Sequence, residues 1–263
     1  MEPIRCCFER YETKYLITPA QYEALKRGMA AKTAPDAHPR YTISNLYYDT
    51  PSFRLIRDSL EKPTYKEKLR LRSYGLVSGD QMVFLEMKKK MNGVVFKRRV
   101  DLPLREAMAY TETGARPSSE SQILREIDWM RRCYDLKPVV FLGYDREAFS
   151  GTEDPELRIT FDTNVRWRTT DLDLNLSDRG EPLDLGGKIL LEVKFPGVCP
   201  FWLSRLLSEL DVRRTSISKY GEVYKRALLY RPQVPAVTPL PAAKKPLGRG
   251  LLEKAASLSA ASL

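Results

Sequence analysis

Residues 64 to 74 read TYKEKLRLRSY, a run that leaves few ways to fold. Side chains two apart on an extended strand point to the same side. As a strand, this segment sets Lys66, Lys68, Arg70 and Arg72 on one face and Leu69 and Leu71 on the other. The leucines need a packed cover, and the cations form a row in which like charges repel. An anionic counterpart is required.

Alternation recurs in FERYETKY, YTISNLYYD, QMVFLEMKKK, VVFKRRVDL, FLGYDREAF, LRITFDT and KILLEVKF, giving about eight segments that predict a mostly antiparallel sheet or barrel. Asn92-Gly93 is a two-residue hairpin signal and sets Met91 opposite Val94. In that register Glu86 faces Arg99, Lys88 faces Lys97, Leu85 meets Val100 and Met87 meets Arg98. The same parity groups Arg10 with Glu12 and Lys14, sets Arg146 beside Tyr144, and joins Arg158 to Thr160 and Asp162 and Glu192 to Lys194. Any one of these strands could be the solvated face of an ordinary sheet. Together they fit a closed barrel whose polar faces line a wet lumen. About ten Lys and Arg would then share one cavity, where a polyanion such as triphosphate offsets their repulsion. Carboxylates among those cations point to a divalent metal, and the combination describes a phosphoryl-transfer site.

Four helical runs punctuate the strands. The first starts at Thr18, with Pro19 next, Gln21 at the capping-box position, and Tyr22, Leu25 and Met29 on one face. Others are marked by Ile123, Ile127, Met130 and Tyr134, by Leu203, Leu206, Leu207 and Leu210 after Pro200, and by Val223, Ala227 and Leu228 after Ser218. After Leu229 the composition changes to RPQVPAVTPLPAAKKPLGRG, with five prolines in twenty residues. The expected organisation is a globular domain over 1–230 and a Pro-rich, basic, flexible tail over 231–263. The chain carries 44 Lys plus Arg against 34 Asp plus Glu, and most of its +10 net charge belongs to the domain.

Absences narrow the chemistry. Cys6, Cys7, Cys133 and Cys199 fit neither a CxxC pair nor a disulfide framework, so reduced thiols in a cytoplasmic protein are expected. His38, the single histidine, lies in a loop-like run, KTAPDAHPR, and leaves little for histidine triads or His-rich metal sites. Neither GxxxxGK[ST] nor GxGxxG occurs, so bound phosphate must be held by side chains. No apolar run is long enough to span a membrane and no secretory signal opens the chain, which reads as soluble but leaves room for a membrane partner. Aromatic platforms do not interleave the cationic strand, which weakens nucleic acid as the partner.

From Phe8 to Leu229 the sequence resembles the triphosphate tunnel metalloenzymes, and more closely the polyphosphate polymerase domain of the vacuolar transporter chaperone family. The motifs are RYETKY at 10 to 15, NLYYDT at 45 to 50, KEKLRLRSYG at 66 to 75, FLEMKKK at 84 to 90, YDREAF at 144 to 149, LRITFDT at 157 to 163, LLEVKF at 190 to 195 and SKYGEVYKR at 218 to 226. Related tunnel enzymes usually begin with ExExK, whereas Arg10, Glu12 and Lys14 stand here, a departure toward the polymerase branch. The resemblance implies an α+β fold, an eight-stranded antiparallel tunnel with helices outside. It implies an enzyme that moves the terminal phosphate of ATP onto inorganic polyphosphate with Mn²⁺ or Mg²⁺. Lys14, Arg70, Arg72, Lys88, Arg146 and Arg158 should hold phosphates, with Lys68 in the same row. Glu192 should hold the metal, and Lys219 should lie near the transferred phosphate. Lys97, Arg99 and Lys194 depend on the strand register. Glu12 and Glu86 are either further metal ligands or partners of cations, and Tyr47 and Asp49 are expected to be structural. A triphosphatase would use the same cavity, and a non-catalytic polyphosphate-binding module is the third reading.

Overall fold

The computed structural model describes residues 10–61, 63–92 and 94–229. The expected tail over 231–263, Cys6 and Cys7 lie outside them. Along the chain run β1 (Arg10–Ile17), α1 (Pro19–Met29), β2 (Thr33–Asp49), α2 (Arg54–Leu60), β3 (Tyr65–Tyr74), β4 (Met82–Met91) and β5 (Val94–Pro103). There follow α3 (Leu104–Thr113), α4 (Gln122–Cys133), β6 (Lys137–Gly151), β7 (Arg158–Arg168), β8 (Glu181–Pro182) and β9 (Ile189–Pro196). The last elements are α5 (Phe201–Glu209), β10 (Arg214–Thr215) and α6 (Lys219–Val223), which continues as a π-helical turn over Tyr224–Leu228.

Local signals account for several boundaries. The Thr18 hydroxyl accepts from Gln21 N–H at 3.2 Å while the Gln21 side chain accepts from Thr18 N–H at 2.9 Å, so the capping box starts α1. Asn92 takes a left-handed φ of 48°, as the hairpin turn requires, and the expected β4–β5 pairing follows: Met91 with Val94, Lys88 with Lys97, Glu86 with Arg99, Leu85 with Val100.

All ten strands join one antiparallel sheet in the order β10, β1, β9, β7, β6, β2, β3, β4, β5, with β8 paired to β7 off that path. This corrects the expected eight-stranded closed barrel. Among the described residues the strands number ten, two of them only two residues long, and no strand pairing closes the sheet. The physical reason lies at its ends. β10 already pairs with β1 at Lys14 and Tyr15, the edge that closure would need, and β5 pairs only with β4. The loop-like assignment of KTAPDAHPR, residues 32–40, is also corrected: β2 begins at Thr33 and carries His38, with a register shift against β6 between Pro35 and Arg40.

Helices cover the apolar faces. Leu69, Leu71, Leu85 and Met87 are buried with Leu104, Ala107 and Tyr110 of α3 and Leu124, Ile127 and Met130 of α4. Tyr15, Leu191, Val193 and Phe195 pack with Leu25 and Met29 of α1 and Leu203 and Leu207 of α5. A third cluster joins Tyr47, Val140, Leu142 and Tyr144 to Ile56 of α2 and Tyr220 and Val223 of α6. That last packing seats α6 over residues on the same side as the cationic row. Among the described residues no helix is long and apolar enough to cross a membrane.

Candidate functional site

Opposite the covered leucines, the cationic row of β3 faces inward. Arg70 bonds the Glu86 carboxylate at 2.8 Å and the Tyr47 hydroxyl at 3.2 Å. Arg72 donates to the Asn45 side-chain oxygen at 3.0 Å and stands 3.8 Å from Glu86. Lys97 reaches Glu86 at 2.7 Å, and Arg99 lies 3.9 Å from it while stacking on Phe84, 3.3 Å from the ring centre. Four cations thus surround one carboxylate that is 2% exposed. Burial alone would raise the Glu86 pKa, but Arg70, Arg72 and Lys97 outweigh it and hold the group at about 2. Glu86 is committed to pairing, and of its two expected roles the structure shows that one.

A second knot forms where β1, β9, β7, β6 and α6 converge. β1 and β9 pair so that Lys14 faces Glu192 and Glu12 faces Lys194. The Lys14 ammonium sits 3.2 Å from Glu192 and 3.3 Å from Glu12. Arg146 reaches Glu192 at 3.0 Å and grips Asp162 with two bonds at 2.6 and 2.7 Å. Lys219 reaches Asp162 at 2.5 Å and Glu192 at 3.5 Å, and its ammonium lies 4.2 Å from the Tyr144 ring centre. Burial pushes the Glu192 carboxyl up, yet Lys219, Lys14 and Arg146 together hold it well below the usual carboxylate range.

Lys68 and Lys194 behave differently: among the described residues neither makes an ion pair. Lys68 donates only to the Ser218 hydroxyl, at 3.3 Å. Burial, reinforced by Lys14, Lys66, Lys88 and Arg70, depresses its pKa to about 7. Burial also lowers Lys194, to about 8, against the pull of Glu192 and Glu12. Lys88 is exposed, but its charge acts on Glu12, Lys68 and Lys194, so β4 curls toward β1, β3 and β9 although no strand pairing closes the sheet.

The strand residues that parity put on the charged faces, Lys14, Lys68, Arg70, Arg72, Lys88, Lys97, Arg99, Arg146 and Lys194, share a basic recess with Glu12, Glu86, Asp162 and Glu192, and Lys219, expected from the resemblance alone, joins them from α6. Arg158 stands apart. It lies opposite Lys194 in the sheet, but its guanidinium pairs with Asp36 on β2. Asp49 is structural, as expected: its carboxylate accepts from the N–H groups of Thr50, Leu55 and Ile56 and from the Tyr220 hydroxyl, tying α6 to α2. Tyr47 does more than pack, since it accepts from Arg70 and stacks on Tyr220.

The donor set bears on the metal. Among the described residues no three acid, histidine or cysteine side chains converge into a cage. Glu12 and Glu192, however, flank the same ammonium of Lys14. One or two carboxylates, with phosphates and water completing the shell, are what a hard divalent ion takes at a phosphate site. The residues therefore fit a hard divalent ion held jointly with a substrate, not an all-protein centre.

Residues 9–228 match the VTC domain family. Subunit 2 of the vacuolar transporter chaperone complex of Saccharomyces cerevisiae is 24% identical over 179 residues, covering 52% of this chain and 22% of that protein. The chain thus spans about a fifth of the length of this curated relative. Among solved structures, a Hippeastrum protein described as an adenylyl cyclase with a dominant triphosphatase activity superposes with a TM-score of 0.50 at 15% identity, over 81% of this chain and 94% of its own. A Bacillus halodurans protein described as an adenylate cyclase gives 0.49 at 16%, over 79% and 92%. At such identities the likeness is one of fold. The match across nearly all the described residues, on an antiparallel sheet curled around a basic recess, makes this chain a member of the VTC domain family with the fold of the triphosphate tunnel enzymes.

Proposed function

We propose that the domain transfers the terminal phosphoryl group of ATP to a growing inorganic polyphosphate chain within the basic recess. The observation that carries this is the pair of half-buried lysines, Lys68 and Lys194, which among the described residues make no ion pair while Lys14, Arg70, Arg72 and Arg146 in the same wall are held by acids. A polyanion supplies the missing charge and restores their protonation. Ten cations facing four carboxylates leave the site strongly positive, the balance suited to three or more linked phosphates.

Roles follow from position. Lys14, Lys68, Arg70, Arg72, Arg146 and Lys194 hold phosphate oxygens, with Lys88, Lys97 and Arg99 extending the track along β4 and β5. Arg158 contributes only at the margin, since Asp36 already holds it. Glu192, aided by Glu12, would hold Mn²⁺ or Mg²⁺, which when bound would neutralise charge on the phosphates. Lys219 places a charged donor beside Glu192 to stabilise the phosphoryl group in transfer. An oxygen of the chain end bonds to the γ-phosphorus, the bond from that phosphorus to the β–γ bridging oxygen breaks, and ADP leaves. Among the described residues Cys133 and Cys199 form no disulfide, which fits a cytoplasmic setting.

A triphosphatase uses the same groups with water as acceptor. The fold shared with a protein described as having a dominant triphosphatase activity favours it as the second reading. Purified protein incubated with excess ATP and Mn²⁺ decides between them when products are resolved by size. Chains of many lengths are expected. Orthophosphate as sole product moves the assignment to the triphosphatase, and binding of ATP without turnover moves it to a polyphosphate-binding module.

A further inference from the structure

Asp162 lies on the charged face of β7, and none of the roles above uses it. It is fully buried, yet both its oxygens are engaged. One accepts from Arg146 Nε at 2.6 Å, and the other accepts from Arg146 Nη2 at 2.7 Å and from Lys219 Nζ at 2.5 Å. These cations come from unconnected elements, β6 and the short helix α6, and Lys219 is 57 residues further along the chain. Ser218, one residue before Lys219, caps α6 through Gly221 N–H and accepts from Lys68, so the start of that helix is fixed from two sides. The remaining groups around Lys219 are Glu192 on β9 and Tyr144 on β6. Glu192 has Lys14 as a further partner and is the acid assigned to the divalent ion. Asp162 is then the carboxylate left to keep Lys219 and Arg146 in place.

We infer that Asp162 is a positioning residue that holds the Lys219 ammonium and the Arg146 guanidinium in one fixed arrangement toward the recess without touching the reacting phosphate. The inference rests on the phosphoryl-transfer reading and deepens it. A preorganised donor gains its effect because it need not reorient as charge develops in the transition state. Removing the charge of Asp162 while keeping its shape leaves both cations with Glu192 as their one remaining acid among the described residues, no longer fixed from two sides, and it also makes the recess one unit more positive. Anion binding and turnover should therefore move apart, whereas the loss of a mere scaffold contact would weaken both.

The test compares wild type, Asp162→Asn, Lys219→Ala and the double variant. In Asp162→Asn, kcat should fall about a hundredfold. Tripolyphosphate affinity, measured calorimetrically without metal, should stay level or rise, and the Mn²⁺ concentration for half-maximal rate should not change. Adding Asp162→Asn to Lys219→Ala should cost less than about threefold more, because the two act as a unit. If the Asn variant does not fold, Asp162→Glu, which keeps the charge but moves it, should show the same split between kcat and affinity. A folded variant with wild-type kcat, a parallel loss of affinity and rate, or losses that multiply with those of Lys219→Ala would each overturn the inference. Wild type that binds tripolyphosphate but never turns over ATP removes the functional reading instead. The binding arm then judges Asp162: affinity kept or raised in the Asn variant supports it, and affinity lost overturns it.

Discussion

Glu192→Gln is expected to abolish turnover of ATP while tripolyphosphate still binds. The carboxylate sits among Lys14, Arg146 and Lys219, and its negative charge is held there despite burial. Glutamine keeps the shape but offers a neutral oxygen, a poor ligand for a hard cation. The cations that grip phosphate stay in place, so affinity for the anion should remain or increase. Ligand-free protein should lose stability, on the order of 3–5 kcal/mol as an upper range for breaking a buried ion network, and recover part of it with tripolyphosphate. Steady-state ATP consumption with Mn²⁺, beside thermal melts with and without the anion, checks both halves. Undiminished activity would leave Glu192 a partner of lysines and nothing more.

Lys219→Ala should lower kcat by about two orders of magnitude with little change in ATP affinity, the scale for losing one preorganised electrostatic group. Its ammonium is fixed by Asp162 and Glu192, and burial, which would lower its pKa, is outweighed by those acids and Tyr144, so it stays charged. In the proposed mechanism such a donor contributes little to resting phosphates that Lys14, Arg70 and Arg146 would already hold. It contributes most when charge shifts toward the leaving oxygen. Measuring kcat and KM together distinguishes this from a binding role, in which KM would rise and kcat would hold.

What the sequence made legible was set by local geometry. Alternation in TYKEKLRLRSY separated the cations from Leu69 and Leu71, and Asn92-Gly93 fixed the β4–β5 register residue by residue. Two helices gave no such signal. α2 follows Phe53, which takes a left-handed φ of 57°, and the N–H groups of Leu55 and Ile56 are satisfied by Asp49 from the preceding strand. α3 begins after Pro103 without any side-chain cap. Closure was not legible either, because alternation tells which face is inward but not which strand edges meet. Parity brought the acids and cations to one face but could not show which are paired. That Glu86 is surrounded by cations, that Lys68 has only a hydroxyl, and that Lys219 returns to Asp162 are consequences of packing between distant elements.

A recess suited to a polyanion must take up protons when it binds one, and proton linkage tests this directly. Lys68 is held at about 7 and Lys194 at about 8, so at pH 8 the first is mostly neutral and the second about half charged. Without ligand, the unfolded chain binds protons there that the folded protein lacks, and stability from these groups increases as pH rises above about 7. An anion in the recess favours the charged ammonium and reverses the balance. Titration of tripolyphosphate at pH 8, in two buffers of different ionisation enthalpy, should therefore show uptake of about one proton per anion bound. Uptake should vanish near pH 6, and affinity should weaken from pH 7 to pH 9. Tight binding with no proton uptake at pH 8, or no binding at all, would contradict the account.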